Sequence, residues 1–143
     1  MFQYEVKGGD FERAGESSSQ LKGTLKRLGL RPEVVRRVAI ASYEAEMNLV
    51  VFTEGGTIRV RLQPRALVLQ AEDAGPGIAD VQQALQPGYS TAPEWVRELG
   101  FGAGMGLTNI EESSDRFELQ SATGKGTLLT ASFFTSEQDH ETG

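Results

Sequence analysis

The sequence contains no cysteine and a single histidine, His140. Without cysteine, the 143-residue chain can form no disulfide bond, has no thiolate nucleophile and has no cysteine ligand for a metal. Its one histidine lies in a polar C-terminal stretch, which argues against a histidine metal cluster and a Ser-His-Asp triad. Any chemistry here is therefore expected to use carboxylates, amides, hydroxyls and the backbone.

Basic residues and long apolar runs are also scarce. Fourteen Lys and Arg against twenty Asp and Glu give a formal net charge of −6, which disfavours binding to nucleic acid or to an anionic membrane. No apolar run approaches the roughly 18 residues of a membrane span, and no secretory signal pattern opens the chain. We therefore expect a cytoplasmic protein with one domain over residues 1–135 and a polar, disordered tail over 136–143.

Hydrophobic periodicity predicts alternating groups of helices and strands. In chain order these are a strand over 2–6, helices over 11–28 and 32–49, strands over 58–62 and 66–69, a short helix over 78–85, a loop over 87–106, a helix over 108–114, and strands over 117–120 and 127–134. Asp10 is expected to cap the first helix. Hairpins join most strands, so we expect an α/β (α+β) two-layer sandwich with a mixed, mainly antiparallel sheet covered by helices on one face.

Glu44 and Asn48 are four residues apart on the second predicted helix, so their side chains share one face. A carboxylate and a carboxamide at this spacing offer a base and an oxygen ligand for Mg²⁺, which prefers oxygen and is often shared with phosphates. A solvent-exposed polar pair would have the same spacing. The pair alone therefore leaves both interpretations open.

Asp73 ends an apolar strand and is followed by Gly75, Pro76, Gly77 and Ile78. A carboxylate at that place needs donors to accept from, and an exocyclic amine such as that of adenine is one. The two glycines leave room for a flat ring to approach the backbone. The alternative is an ordinary turn at the end of a strand.

A glycine-rich segment precedes the predicted helix over 108–114. Its residues are Gly102, Ala103, Gly104, Met105, Gly106 and Leu107. Glycines before a helix N-terminus present backbone N–H groups to phosphate, although a flexible hinge would look the same. The spacing matches neither a Rossmann fingerprint nor a P-loop. Later, Gly126-Thr127 fits a hairpin turn, and equally a hydroxyl that faces a purine.

Together and in this order, the four segments resemble the boxes of the GHKL (Bergerat-fold) ATPase superfamily. Glu44-x-x-x-Asn48 is similar to the N box, Asp73-x-Gly75-x-Gly77 to the G1 box, and Gly102-x-Gly104-x-Gly106 to the G2 box. Gly126-Thr127 is similar to the last box. The compact size and the segment 88–91 most resemble the anti-sigma factor and switch-protein serine/threonine kinases, among them the stressosome switch kinases.

The resemblance implies that the chain binds ATP and Mg²⁺. It implies that Glu44 is the general base, that Asn48 holds the metal, and that Asp73 accepts from the adenine amino group with help from Thr127 through water. The loop residues would surround the nucleotide: Gly75, Gly77, Ile78, Gly102, Ala103, Gly104, Met105, Gly106 and Leu107. The implied substrate is a Ser or Thr of a STAS-domain switch protein; a sigma factor or another regulator is a further implied partner, and a homodimer is compatible with the family.

Three functions remain open at this stage. The chain is a protein kinase, an ATP-gated anti-sigma or scaffold module that sequesters a partner, or a stand-alone ATPase. Some relatives carry a basic residue just before the glycine segment, where this chain has Leu99-Gly100-Phe101 and, further away, Arg97. The γ-phosphate contact is therefore unassigned. Trp95 either packs onto the domain or anchors a partner.

Overall fold

The computed structural model describes residues 1–73, 106–122 and 126–135. In chain order these residues form β1 (Phe2–Lys7), α1 (Glu16–Arg27), α2 (Pro32–Phe52), β2 (Gly55–Leu62), β3 (Ala66–Asp73), α3 (Gly106–Ser113), β4 (Arg116–Ala122) and β5 (Gly126–Phe134). The helix predicted over 78–85, most of the loop over 87–106 and the tail over 136–143 lie outside the described residues. No helix in the described ranges is long and apolar enough to cross a membrane.

The five strands form one sheet in the order β1-β2-β3-β5-β4. Every strand pair within the described part of the chain is antiparallel. Alternate residues such as Ile58, Val60, Leu67 and Leu69 are buried on one face, as expected for a sheet with a single covered face. The mainly antiparallel sheet predicted from the hairpins is confirmed.

Helix α2 covers that face and organises the core. Pro32 occupies its first turn, where a missing N–H costs nothing. One stripe of the helix is at most 3% exposed and matches the predicted apolar stripe; it consists of Val34, Val38, Ala41, Ala45 and Leu49. The helix packs against β1, β2, β3 and β5, and both α1 and α3 pack against it. The result is the two-layer sandwich predicted from the sequence.

Helix α1 begins later than its hydrophobic spacing predicts. It starts at Glu16, after Gly15 in a left-handed conformation with φ 94°, so the predicted start at Phe11 is wrong. Asp10 does not cap the helix; its carboxylate accepts a hydrogen bond from the backbone N–H of Arg13 at 3.4 Å. The apolar spacing misled because Phe11 and Ala14 pack against the core from turns rather than from a helix.

The N–H groups at the start of α1 are satisfied by a carboxylate from another helix. Glu46 of α2 is 2% exposed and accepts hydrogen bonds from the backbone N–H groups of Gly15 at 3.0 Å, Ser17 at 3.3 Å and Ser18 at 3.0 Å. These donors have no partner within the helix, and the positive end of the helix dipole favours a negative charge there. Glu46 therefore joins α1 to α2.

Arg37 ties the start of α2 to the other end of the sheet. Its Nη1 lies 3.1 Å from Asp115 Oδ2 and donates to the carbonyl oxygen of Ser113 at 3.4 Å. The same Asp115 oxygen accepts from the backbone N–H of Phe134 at 2.7 Å. The end of α3, the start of β4 and the end of β5 thus share one charged cluster, which sets where α3 lies on α2.

Candidate functional site

Glu44 and Asn48 meet the first residue of α3. A Cβ atom at Gly106 would lie 3.1 Å from Asn48 Oδ1 and 3.2 Å from Glu44 Oε2. Both polar side chains are half-buried, so they are not the solvent-exposed pair that the spacing alone allowed. Because Gly106 has no side chain, the N-terminal end of α3 closely approaches the face of α2 that carries Glu44 and Asn48.

Asn109 lies one turn further along α3 and contacts the same carboxylate. Its Nδ2 donates a hydrogen bond to Glu44 Oε1 at 3.2 Å. Glu44 is thus held at one oxygen by Asn109 while the other lies near Gly106. The sequence analysis did not single out Asn109. The sequence placed it only as the second residue of the helix predicted over 108–114. The structure begins α3 at Gly106, which puts Gly106 and Asn109 on one face.

Asp73 and Thr127 lie side by side at one end of the sheet. They are directly paired across β3 and β5, and Gly56 of β2 pairs with Asp73 from the other side. By the period of two, Asp73 follows Leu67, Leu69 and Ala71 on the helix-covered face, and Thr127 continues the corresponding series of β5. The two residues expected to contact adenine are therefore neighbours, although 54 positions separate their numbers, 73 and 127.

Gly56 allows that end of the sheet to lie close to α2. A Cβ atom at Gly56 would overlap the carbonyl oxygen of Glu72 and would lie 3.0 Å from Leu49 Cδ2. Leu49 is the residue after Asn48, so the Asp73 end of the sheet lies beside the turn of α2 that carries Asn48. The sequence analysis did not single out Gly56.

The donor set suits Mg²⁺ shared with a nucleotide better than a metal held by protein alone. No group of three or more His, Cys, Asp or Glu side chains in the described ranges could hold a metal ion. Asn48 offers an amide oxygen on the face that meets the N-terminus of α3. Magnesium commonly takes one or two protein oxygens and completes its shell with water and phosphate oxygens. Asn48 fits that mode of binding.

Of the remaining site residues named from the sequence, two lie in the described part of the chain. Gly106 and Leu107 open α3, and Leu107 packs against the core. Those outside the described residues are Gly75, Gly77, Ile78, Gly102, Ala103, Gly104 and Met105, as are Trp95, Arg97 and the segment 99–101. Their roles stay predictions.

Residues 10–133 match the family model of the histidine kinase-like ATPase domain. The chain belongs to this family. The match confirms the family expected from the four segments, and it is consistent with the observed antiparallel sheet covered by helices on one face. It extends across Glu44, Asn48, Asp73, Gly106 and Thr127, so the described part of the site lies inside the family domain.

The relatives of this histidine kinase-like ATPase domain include named regulators. The chain is 34% identical over 97 residues to an anti-sigma F factor of Caldanaerobacter subterraneus subsp. tengcongensis, covering 68% of this chain and 60% of that protein. It is 36% identical over 93 residues to an anti-sigma F factor of Pasteuria penetrans, with 60% and 59% covered. It is 29% identical over 114 residues to the serine/threonine-protein kinase RsbT of Bacillus subtilis, with 77% and 80% covered. The match thus spans about 60% of the length of these anti-sigma F factors.

Proposed function

We propose that this chain is an ATP-binding regulatory serine/threonine protein kinase that phosphorylates a STAS-domain switch protein. The observation that carries the proposal is the meeting of Glu44 and Asn48 with Gly106 at the N-terminus of α3. A base, a metal-binding amide and a phosphate-facing helix end are then within one cluster. The similarity to proteins named anti-sigma F factor and serine/threonine-protein kinase supports a regulatory role.

The adenine end of the nucleotide is assigned to the Asp73 end of the sheet. Asp73 would accept a hydrogen bond from the exocyclic amine, and Thr127, its cross-strand neighbour, would bind the purine through water. The phosphates would then lie toward α3, where Gly106 and Leu107 begin the helix. This assignment places the nucleotide across the Asp73 end of the sheet and the turn of α2 that carries Asn48, which lie close together at Gly56 and Leu49.

Phosphoryl transfer needs mainly positioning and charge stabilisation from the protein. In the proposed reaction, the substrate hydroxyl oxygen forms a bond to the γ-phosphorus as the bond from that phosphorus to the bridging oxygen breaks. ADP leaves with the electron pair of the broken bond, and the hydroxyl proton moves to the Glu44 carboxylate. Asn48 would hold Mg²⁺, which when bound neutralises phosphate charge.

The decisive experiment compares nucleotide binding and phosphate transfer in the wild type and in Glu44→Ala. We expect the Mg·ATP affinity of the variant, measured by calorimetry, to stay within about threefold of wild type, because Glu44 is assigned to the hydroxyl rather than to the adenine. Transfer from γ-labelled ATP to a panel of purified STAS-domain proteins should fall by at least about 100-fold, in the range of losses when a general base is removed. Wild-type protein that binds no ATP at millimolar concentration, or a Glu44→Ala variant that transfers phosphate normally, contradicts the proposal.

A second function is an ATP-gated anti-sigma or scaffold module that sequesters its partner and transfers little phosphate. The anti-sigma F names carried by relatives of up to 36% identity favour it. The same Glu44→Ala variant separates the two functions. If partner control in a reconstituted transcription assay survives unchanged while transfer is lost, sequestration is the better description; if control is lost with transfer, the kinase is.

A further inference from the structure

The hydrogen bond between Asn109 and Glu44 joins residues 65 positions apart in the sequence. Ionised Glu44 can only accept, so the Asn109 amide has to present its nitrogen to the carboxylate. A hydrogen bond to a charged partner is stronger than one between neutral groups. The contact therefore restrains a half-buried side chain that otherwise has three rotatable bonds.

The two oxygens of Glu44 have different neighbours. Oε1 accepts from Asn109 at 3.2 Å, while Oε2 lies on the side of Gly106, 3.2 Å from where a Cβ atom of that residue would be. Oε2 is therefore the Glu44 oxygen nearer to Gly106, at the helix end where the proposal places the phosphates. An unrestrained carboxylate would rotate and present either oxygen in either direction.

We propose that Asn109 is a positioning residue, which orients the Glu44 carboxylate so that Oε2 receives the proton of the attacking hydroxyl. The inference rests on the proposed kinase function and adds a residue to it. Gly106 and Asn109 both belong to α3, so the helix end at which the proposal places the phosphates and the residue that directs the base lie on one element. A helix that binds phosphate through its first turn thereby aligns the base with it.

The test uses isosteric variants of Asn109 in the full chain. Asn109→Leu keeps the size and removes the donor, and Asn109→Asp keeps the shape and replaces the donor with an acceptor that repels Glu44. Glu112, exposed on the same helix, supplies the control Glu112→Leu. Mg·ATP affinity, thermal unfolding, kcat and KM for the STAS-domain acceptor are measured for each.

We expect Asn109→Leu to lower kcat by about 10- to 100-fold, since small misplacements of reacting groups have effects of that size. Its Mg·ATP affinity and its KM should stay within about threefold of the wild-type values. Asn109→Asp should be at least as slow, and Glu112→Leu should match the wild type. If kcat in Asn109→Leu is unchanged while the wild type transfers phosphate, the positioning role is wrong and the proposed function stands.

A spectroscopic readout tests the contact independently of transfer. In the NMR spectrum of ¹⁵N-labelled protein, the pair of side-chain amide signals that is absent from Asn109→Leu is assigned to Asn109. We expect this pair to shift in Glu44→Ala and to stay in place in Glu112→Leu. No shift in Glu44→Ala overturns the inference. If the signals shift in Glu44→Ala but the wild type transfers phosphate to no acceptor, the contact is real and the proposed function is wrong. The catalytic use of an oriented Glu44 is then wrong as well.

Discussion

At the scale of single residues, Gly106 controls how closely α3 approaches the polar face of α2. A Cβ atom there would meet Asn48 Oδ1 at 3.1 Å and Glu44 Oε2 at 3.2 Å. Contacts that short require the neighbours to move by a few tenths of an ångström. The two side chains that would move are those that the proposal assigns to the metal and to the hydroxyl proton.

Gly106→Ala should therefore weaken Mg·ATP binding without unfolding the protein. We expect Mg·ATP affinity to fall by roughly 10-fold, which corresponds to about 1.4 kcal/mol, because Asn48 is displaced. The free energy of unfolding should change by less than about 1 kcal/mol, because alanine favours a helix. Calorimetric titration and a thermal melt measure the two effects separately.

Gly23 supplies the matched control. It lies inside α1, and a Cβ atom there would meet only Arg27 Nη1, at an ordinary 3.5 Å. Gly23→Ala should raise stability by roughly 0.5–1 kcal/mol and leave nucleotide affinity alone. Equal Mg·ATP affinity in Gly106→Ala and Gly23→Ala would contradict the role assigned to Gly106.

Asp73 permits a second test at this scale. Asp73→Asn replaces a carboxylate acceptor by an amide of the same shape, and we expect ATP affinity to fall by roughly 10- to 100-fold, the range for a hydrogen bond to a charged group. The control is Glu72→Gln: Glu72 is adjacent but points to the other face, where it forms a surface ion pair with Arg59 at 3.6 Å. Titration with ATP measures both. An unchanged affinity in Asp73→Asn removes the adenine assignment.

At the scale of elements, α1 depends on a carboxylate supplied by α2. Glu46 accepts from three backbone N–H groups at the start of α1, and no side chain of α1 itself caps the helix. Glu44 and Glu46 are two residues apart on α2 and point in different directions: one toward α3, the other toward α1. The central helix thus holds both neighbours through charged groups.

Glu46→Ala should destabilise the fold by about 3 kcal/mol, because three backbone N–H donors, one buried and two partly buried, lose a charged acceptor at once. Chemical denaturation measures the free energy of unfolding. Glu12→Ala, at an exposed position of the preceding turn, should change it by less than about 0.5 kcal/mol. Similar stabilities of the two variants would mean that the Glu46 contacts do not support α1.

The elements differ in how far the sequence predicted them. Helix α2 and strands β2, β3 and β5 were predicted from their apolar residues, since each buries one regular stripe or face. Strand β4 was also predicted, although its Phe117 and Leu119 are only partly buried. The start of α1 did not, because Phe11 and Ala14 imitate a helical spacing while Gly15 turns the chain at φ 94°. Local spacing predicts which residues are buried. The backbone conformation at those residues depends on the elements against which they pack.

At the scale of the whole molecule, the described part of the site is assembled from residues far apart in the chain. Glu44 and Asn48 lie on α2, Asp73 on β3, Gly106 and Asn109 on α3, and Thr127 on β5. A ligand that contacts these elements together binds the folded state alone. Its binding free energy therefore adds to the stability of the entire sheet and its helices.

Mg·ATP at 100 times its dissociation constant should stabilise the protein by about 2.7 kcal/mol, which raises the melting temperature by roughly 10 °C for a domain of this size. Thermal melts with a nonhydrolysable ATP analogue, with and without EDTA, measure the shift and its dependence on magnesium. The Asp73→Asn variant is the control and should shift less at the same ligand concentration. A melting temperature that ligand leaves unchanged in the wild type would contradict the site.

The sequence by itself determined that this chain has no thiol, since it contains no cysteine. Hydrophobic periodicity predicted helices on a mainly antiparallel sheet, and the resemblance of four segments to the GHKL boxes led to the ATPase family. Those properties depend on residue types, on local periods and on short motifs. Only the tertiary structure decided that Asn109 holds Glu44, 65 positions away, that Glu46 supports α1, and that Gly56 lies between Asp73 and Leu49. Such contacts arise when distant segments pack together, and a local pattern of hydrophobicity carries no information on which polar groups then meet.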